Sequence, residues 1–392
     1  MFCSEVLLFK SDGNSNFRIP SIVCSKDGSV YAFCNDRKQS LEDFAEEVAL
    51  SYAVKRSGKE WGEVRELAFH PGWACGIGSA VYDAETDTVF VTGRKNPVSR
   101  REFNNYTKEQ IEEFERQAKE KAAREGIRIG AYIYKSTDGG NTWEESEYKI
   151  NQRSFVRPDG EEIKISGGGH GSGHGITLRH GKYAGRLLCP TRVIVHKYND
   201  KSGLRTACYN NAVYSDDHGK TWHACAPVQA GTGEGVLYED SDGSIILNSR
   251  AYFEDGKRRL ARSYDGGETW GDFAIDDFLL EDAAWGVNAS MIRVEREQLG
   301  DAAALLPEGA DSVTLFANPR ATTRRNMSIC VSFDSGKTWE KVKTVWENQS
   351  AYSSLDYSEA DGHFHLLYEK GETNPYSLGI SALEFDLEWV LS

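Results

Sequence analysis

Eight polar residues in this sequence share one kind of position, at or beside the ends of runs of strand-forming residues. Arg18 opens an early run, Arg37 ends the next, and Asp43 follows in the loop beyond. Glu234 opens a later run and Arg250 ends its partner, while Arg324 lies in a loop eight residues before Ser332. Tyr352 opens a run near the C-terminus, and Glu369 ends its partner. A guanidinium is a planar fork of N–H donors, suited to holding a carboxylate by two hydrogen bonds and charged at any working pH. Carboxylates and a phenol are groups that pass protons to and from reacting atoms. Each of the eight alone is an ordinary solvated strand end. Gathered on one rim, they are a candidate site.

The elements that must gather them are read from a repeat. The pattern S-x-D-x-G-x-T-W occurs four times: STDGGNTW at 136–143, SDDHGKTW at 215–222, SYDGGETW at 263–270 and SFDSGKTW at 332–339. A degenerate copy, RSGKEW, stands at 56–61. In each copy the Ser and Asp side chains can bond turn backbone groups, Gly permits positive φ, and Trp anchors the turn to a core. These are Asp-boxes. With short alternating runs between them, they read as the blades of a propeller.

Strand candidates fall in fours: 18–24, 30–37, 48–54 and 64–67 in blade one, then 79–83, 88–94, 129–136 and 143–150 in blade two. Blades three to five follow from Gly173, Glu234 and Ala289. Blade six has 352–357, 363–369 and 377–385, and the N-terminal run 5–9 is expected to complete it, because closure removes exposed strand edges. The expected fold is all-β, a six-bladed β-propeller of four-stranded antiparallel blades, one domain over residues 1–392. In such blades the starts of first strands and the ends of second strands share one face, and the Asp-box hairpins lie on the other. That parity puts the eight candidates on one face.

One segment breaks the pattern. Within 99–128, Thr107 with Gln110 reads as a capping box, Ile111, Phe114 and Ala118 recur at helical spacing, and Gly126 is a stop signal. This predicts a helix inserted in blade two. Because it joins second to third strands, it belongs on the face of Asp43 and Arg324.

Composition excludes several function classes. A formal net charge of −14 argues against a nucleic-acid partner. No apolar run approaches the ~20 residues of a membrane span. The N-terminus has no basic stretch before its short apolar run, so no secretory signal is visible and a cytoplasmic location is expected. The eight cysteines are scattered without ligand-like spacing and are expected to be buried free thiols. His170 and His174 have no third ligand at suitable spacing, the glycines around them precede no helix that could cradle phosphate, and the Asp-boxes hold too few acidic oxygens for calcium. No metal and no cofactor is expected.

The chain resembles the exo-sialidases of glycoside hydrolase family 33 along nearly its whole length. The resemblance rests on FRIP at 17–20, the four Asp-boxes, GSGHGI at 171–176 with GRL at 185–187, AYSSL at 351–355 and LLYE at 366–369. It implies that Arg18, Arg250 and Arg324 grip a sialic acid carboxylate, with Arg325 the competing choice for the third. Glu369 would hold Arg18, and Arg37 would line the pocket. Tyr352 would be the nucleophile and Glu234 its base, since a neutral phenol avoids the repulsion an aspartate would meet at a carbon bearing its own carboxylate. Asp43 would protonate the leaving oxygen and then activate water, giving retention, with Glu42, Glu46 and Glu47 the neighbouring acids. Ile77-Gly78 departs from the polar residue and proline that relatives often carry there. The implied activity is hydrolysis of terminal sialic acid from glycoproteins, glycolipids or oligosaccharides. The alternatives are transfer or anhydro-sugar formation at the same site, or a non-catalytic glycan-binding propeller.

Overall fold

The computed structural model describes residues 1–392 except 44, 98–106, 169–170, 172 and 197–200. His170 and residues 99–106 of the insertion therefore lie outside the described residues. Among the described residues the fold is all-β, with five sheets and few helices. No helix of the described residues is long and apolar enough to cross a membrane.

The simplest unit is a four-stranded antiparallel sheet of Thr232–Glu239, Ile245–Ala251, Lys257–Ser263 and Gly271–Leu280 in chain order. Elsewhere the fours run together. A bridge between Val48 and Ala74 fuses the first two sets into one sheet, and Lys341–Ser358 is one long strand serving two sets. Its early residues pair with Arg325–Ser332, and its later ones pair with His363–Lys370 across a register shift between Ser350 and Ser353. The N-terminal strand Cys3–Lys10 pairs antiparallel with Gly379–Phe385, burying the edge that the C-terminal strands would otherwise expose.

Two features depart from the expected fours. The run 143–150 keeps only Glu144–Glu147 in its own sheet, while Ile150–Asn151 crosses to pair in parallel with Trp222 and His223. A small hairpin of Arg153–Val156 and Glu162–Ile165 follows, with Phe155 edge-on to Tyr209 at 5.3 Å.

Inner strands of successive sets touch in turn: Ser15–Cys24 meets Ala74–Asp83, which meets Leu187–Ile194 (beside the short edge strand Ile176–Thr177), then Thr232–Glu239, Ser290–Glu295 and Lys341–Ser358, and the last meets Ser15–Cys24. Hydroxyl groups tie these strands where backbone pairing is absent. Ser21 Oγ donates to Gly173 O (2.5 Å) and accepts from Ala80 N (3.1 Å), Ser79 Oγ donates to Pro190 O (3.0 Å), and Ser290 and Ser353 share a hydrogen bond (2.9 Å).

The boxes are built alike. In the copy at 215–222, Ser215 Oγ donates to Asp217 and accepts from Gly219 N, while Asp217 takes the N–H and hydroxyl of Thr221. Gly219 has φ 77°, and a Cβ there would also meet the Phe90 ring at 2.6 Å, so both conformation and space require glycine. The box tryptophans pin one set of strands to the next: Trp143 stands edge-on to Phe33 and Tyr52, and Trp222 to Phe90. All eight cysteines are free, and seven are buried.

The inserted helix is Lys108–Glu125, opened by the Thr107–Gln110 capping box and stopped at Gly126 in the left-handed region. It covers the fully buried Trp73, whose Nε1 donates to Glu125 (2.7 Å), and Lys121 Nζ donates to Gly72 O (2.6 Å). Gly72 N in turn donates to Glu47 (2.6 Å), in the loop that carries Asp43.

Candidate active site

The site is built at irregularities in the inner strands. Pairing slips by one residue between Arg18 and Ser21, between Ile77 and Ala80, between Thr232 and Gly235, and between Ser350 and Ser353. Such bulges turn a side chain that would alternate along the strand toward a chosen direction. Arg18, Glu234 and Tyr352 all stand at these slips. Ile19 beside Arg18 has φ 62°, a conformation that costs a β-branched residue about 1–3 kcal/mol and is held by its surroundings. Glu234 is flanked by Gly233 and Gly235, where a Cβ would meet Tyr252 Oη at 2.4 Å and Asn210 Nδ2 at 1.9 Å.

Tyr352, 5 % exposed, is the centre. Its Oη donates to Glu234 Oε2 at 2.8 Å and accepts from Arg250 Nη1 at 2.6 Å, and Arg250 Nη1 also pairs with Glu234. Burial pushes the phenol well above its ordinary range, with Arg250 opposing and Glu234 adding to the rise. Burial also acts to raise Glu234, but Arg250 and Arg192 outweigh it and hold the carboxyl below its usual value. The result is a protonated phenol hydrogen-bonded to an ionised carboxylate, a base in place for its proton.

Three guanidiniums surround the ring. Arg18, Arg250 and Arg324 have their central carbons 5.8, 5.9 and 5.7 Å from the Tyr352 centroid. Each is fixed from behind. Arg18 Nε donates to Glu369 (2.6 Å), and the Arg18 guanidinium stacks on Tyr376 at 3.7 Å. Arg250 Nε donates to Trp285 O (2.8 Å), and Arg324 donates to Asp282 (3.1 Å) and Gly286 O (3.2 Å). Arg325 opens an exposed strand end and does not join them. The cluster is a ready receptor for one carboxylate beside the phenol.

Asp43 lies 3.0 Å from Arg37 and 3.8 Å from Arg18, with its side chain 72 % exposed. Open to solvent but crowded by the protein atoms of the pocket around it, the carboxyl is partly desolvated, which works against ionisation, but Arg37 and then Arg18 prevail and lower it to about 2. Of its neighbours, Glu47 is engaged by Gly72 N. The structure thus brings together all eight sequence candidates.

Three contributors were missed. Arg192 lies within electrostatic reach of both Glu234 and Tyr352, and Tyr376 and Asp282 brace Arg18 and Arg324. Arg192 was discoverable, because it stands near the end of Leu187–Ile194 as Arg37 and Arg250 do in their strands. Tyr376 and Asp282 lie in loops and carry no comparable signal.

A family model described as BNR repeat-like domain matches residues 42–366. A sialidase of Micromonospora viridifaciens is 31 % identical over 97 % of this chain and 53 % of its own length. A sialidase of Bacteroides fragilis is 25 % identical over 91 % of this chain and 60 % of its own. The chain thus spans about half to three-fifths of these curated relatives. Among solved structures, the Hadza microbial sialidase Hz136 aligns with TM-score 0.69 at 23 % identity, covering 96 % of this chain and 66 % of that one. The intramolecular trans-sialidase of Ruminococcus gnavus, solved with oseltamivir carboxylate, aligns with TM-score 0.68 at 17 % identity over 98 % of both chains. These likenesses identify the fold as a β-propeller.

Proposed function

We propose, from the premise that this chain belongs to the BNR repeat-like family as a member of its glycoside hydrolase family 33 sialidases, that it removes terminal sialic acid from glycoconjugates with retention. The observation that carries this reading is the buried Glu234–Tyr352–Arg250 contact with three guanidiniums about one phenol. The succession of inner strands supports six blades, with the Lys341–Ser358 strand shared between the fifth and sixth.

In this reading the substrate carboxylate binds Arg18, Arg250 and Arg324 as bidentate charge-assisted pairs. Tyr352 Oη attacks the anomeric carbon, its proton passes to Glu234, and the glycosidic bond breaks toward the leaving oxygen. Asp43 gives that oxygen its proton, then takes one from the water that cleaves the glycosyl-tyrosine, while Glu234 returns its proton to the departing Tyr352 oxygen. Asp43 is ionised in the free protein. A bound carboxylate at Arg18 withdraws positive charge from Asp43 and adds negative charge nearby, and both effects raise its pKa toward the acid form the first step needs. Arg37 keeps Asp43 in place meanwhile.

The inserted helix, tied through Gly72 to the loop of Asp43, stands at the pocket mouth and meets the aglycone. It tunes leaving-group or acceptor choice and takes no part in bond cleavage. Time-resolved NMR on a sialyllactose tests the whole reading. α-Sialic acid as the first product supports it, the β-anomer overturns retention, and a 2,7-anhydro product or sialyl transfer to added lactose overturns hydrolysis.

A further inference from the structure

At the far end of the strand that carries Glu369, a second polar cluster has no part in this chemistry. His363–Lys370 begins with His363, and six residues at about 3.3 Å each separate it from Glu369 by about 20 Å. His363 and His365 lie two apart on one face of that strand, and His365 is directly opposite Glu384 on the neighbouring strand. Asp361 comes from the exposed turn just before. One ligand-capable atom from each of Asp361, His363 and Glu384 lies within 4.8 Å of the other two. His363 Nδ1 is 2.8 Å from Glu384 Oε1, and Lys55 Nζ holds Glu384 Oε2 at 2.7 Å, so Oε1 stays turned to the histidine. Phe2 stacks on the His363 ring at 4.6 Å.

The second observation is His365. It is 2 % exposed, its Nε2 has no hydrogen-bond partner, and that atom faces Asp361 Oδ2 at 3.8 Å. A buried ring nitrogen without a partner is costly unless something binds it. Two imidazoles and two carboxylates form the donor set of a borderline divalent ion. Metal–ligand bonds of about 2.0–2.2 Å set tetrahedral ligand spacings of about 3.3–3.6 Å, which lie between the 2.8 Å of His363–Glu384 and the 3.8 Å of His365–Asp361.

We propose that Asp361, His363, His365 and Glu384 bind a divalent transition-metal ion, Zn²⁺ by the chemistry of the donors, on the face away from Tyr352. The ion fastens the turn at Asp361 to the strand Gly379–Phe385, which in turn pairs with the N-terminal strand. Its role is to hold the sheet together, so bound metal changes stability and leaves turnover alone.

Co²⁺ titrated into the chelator-treated full chain tests this through its visible d–d absorption. One equivalent of Co²⁺, displaced by Zn²⁺, is expected, with Kd at least tenfold weaker in Asp361→Asn and in His365→Asn. Zn²⁺ should raise the Tm of the wild type and not of Asp361→Asn, and activity on an aryl sialoside should be equal in both. Asp361 is at an exposed turn, so that variant decides the matter alone should His365→Asn fold poorly. No absorption band up to millimolar Co²⁺, or unchanged affinity in Asp361→Asn, overturns the site.

Discussion

Glu369 holds Tyr352 by its backbone: Oε2 accepts the Tyr352 N–H at 3.0 Å, while Oε1 accepts Arg18 Nε at 2.6 Å and Ile19 N–H at 2.8 Å. One fully buried carboxylate therefore sets the Tyr352 backbone, the Arg18 guanidinium and the strained peptide between Arg18 and Pro20. Replacing it with Gln turns an NH₂ toward at least one of these donors and leaves Arg18 without its counter-charge. Glu369→Gln is expected to lose about 3–5 kcal/mol of stability together with most activity, read by denaturant unfolding and kcat/KM. Activity near wild type in Glu369→Gln would refute the positioning role.

Tyr352→Phe keeps the ring among its three arginines and deletes only the phenolic oxygen. Turnover should fall at least about 10³-fold while binding of a sialic acid analogue persists. Glu234→Gln should be impaired through loss of the base. Activity near wild type in Tyr352→Phe rules out the tyrosine as nucleophile.

Asp43→Ala should cost about 10²–10⁴-fold on sialyllactose and much less on an activated aryl sialoside, whose leaving group needs no proton. Equal losses on both substrates point to Glu42 or Glu46 instead.

The pH profile follows from the same residue. Free Asp43 sits at about 2 because Arg37 and Arg18 favour its charged form. On sialyllactose, kcat should decline as pH rises through the Asp43 pKa of the complex, and the aryl substrate should lack that decline. Arg37→Ala removes a cation that lowers the pKa, so the decline should move to higher pH. A decline that stays put, or moves lower, assigns it to another group.

Arg324→Lys keeps the charge but loses the planar fork beside the Tyr352 ring, and should weaken kcat/KM where Arg325→Lys does not. The reverse outcome exchanges the two roles.

Replacing residues 99–128 by a short glycine-containing turn uncovers Trp73 and should cost about 1–3 kcal/mol. Activity on a small aryl sialoside should survive, while relative rates on branched glycans change. Identical kinetics on every substrate would remove the proposed role.

Much of this protein was legible in the chain because its signals are local. A box writes its turn within eight residues, since the Ser, Asp, Gly and Thr that bond one another are near neighbours, and Thr107, Gln110 and Gly126 mark the helix ends for the same reason. Alternation with strand parity then sorts strand ends onto two faces without any long-range information. Other features depend on what a distant strand presents. The slips that aim Arg18, Glu234 and Tyr352 arise where paired strands disagree in length. The bracing by Tyr376 and Asp282, and the approach of Arg192, come from loops and blades far away in sequence. So does the choice of Arg324 over Arg325, made by Asp282 and Gly286 O. Residue types and their order determined which chemistry the chain can carry. Only the tertiary structure, through register and through the balance of burial against nearby arginines, which raises Tyr352 and lowers Glu234 and Asp43, decided which groups meet and in which protonation state.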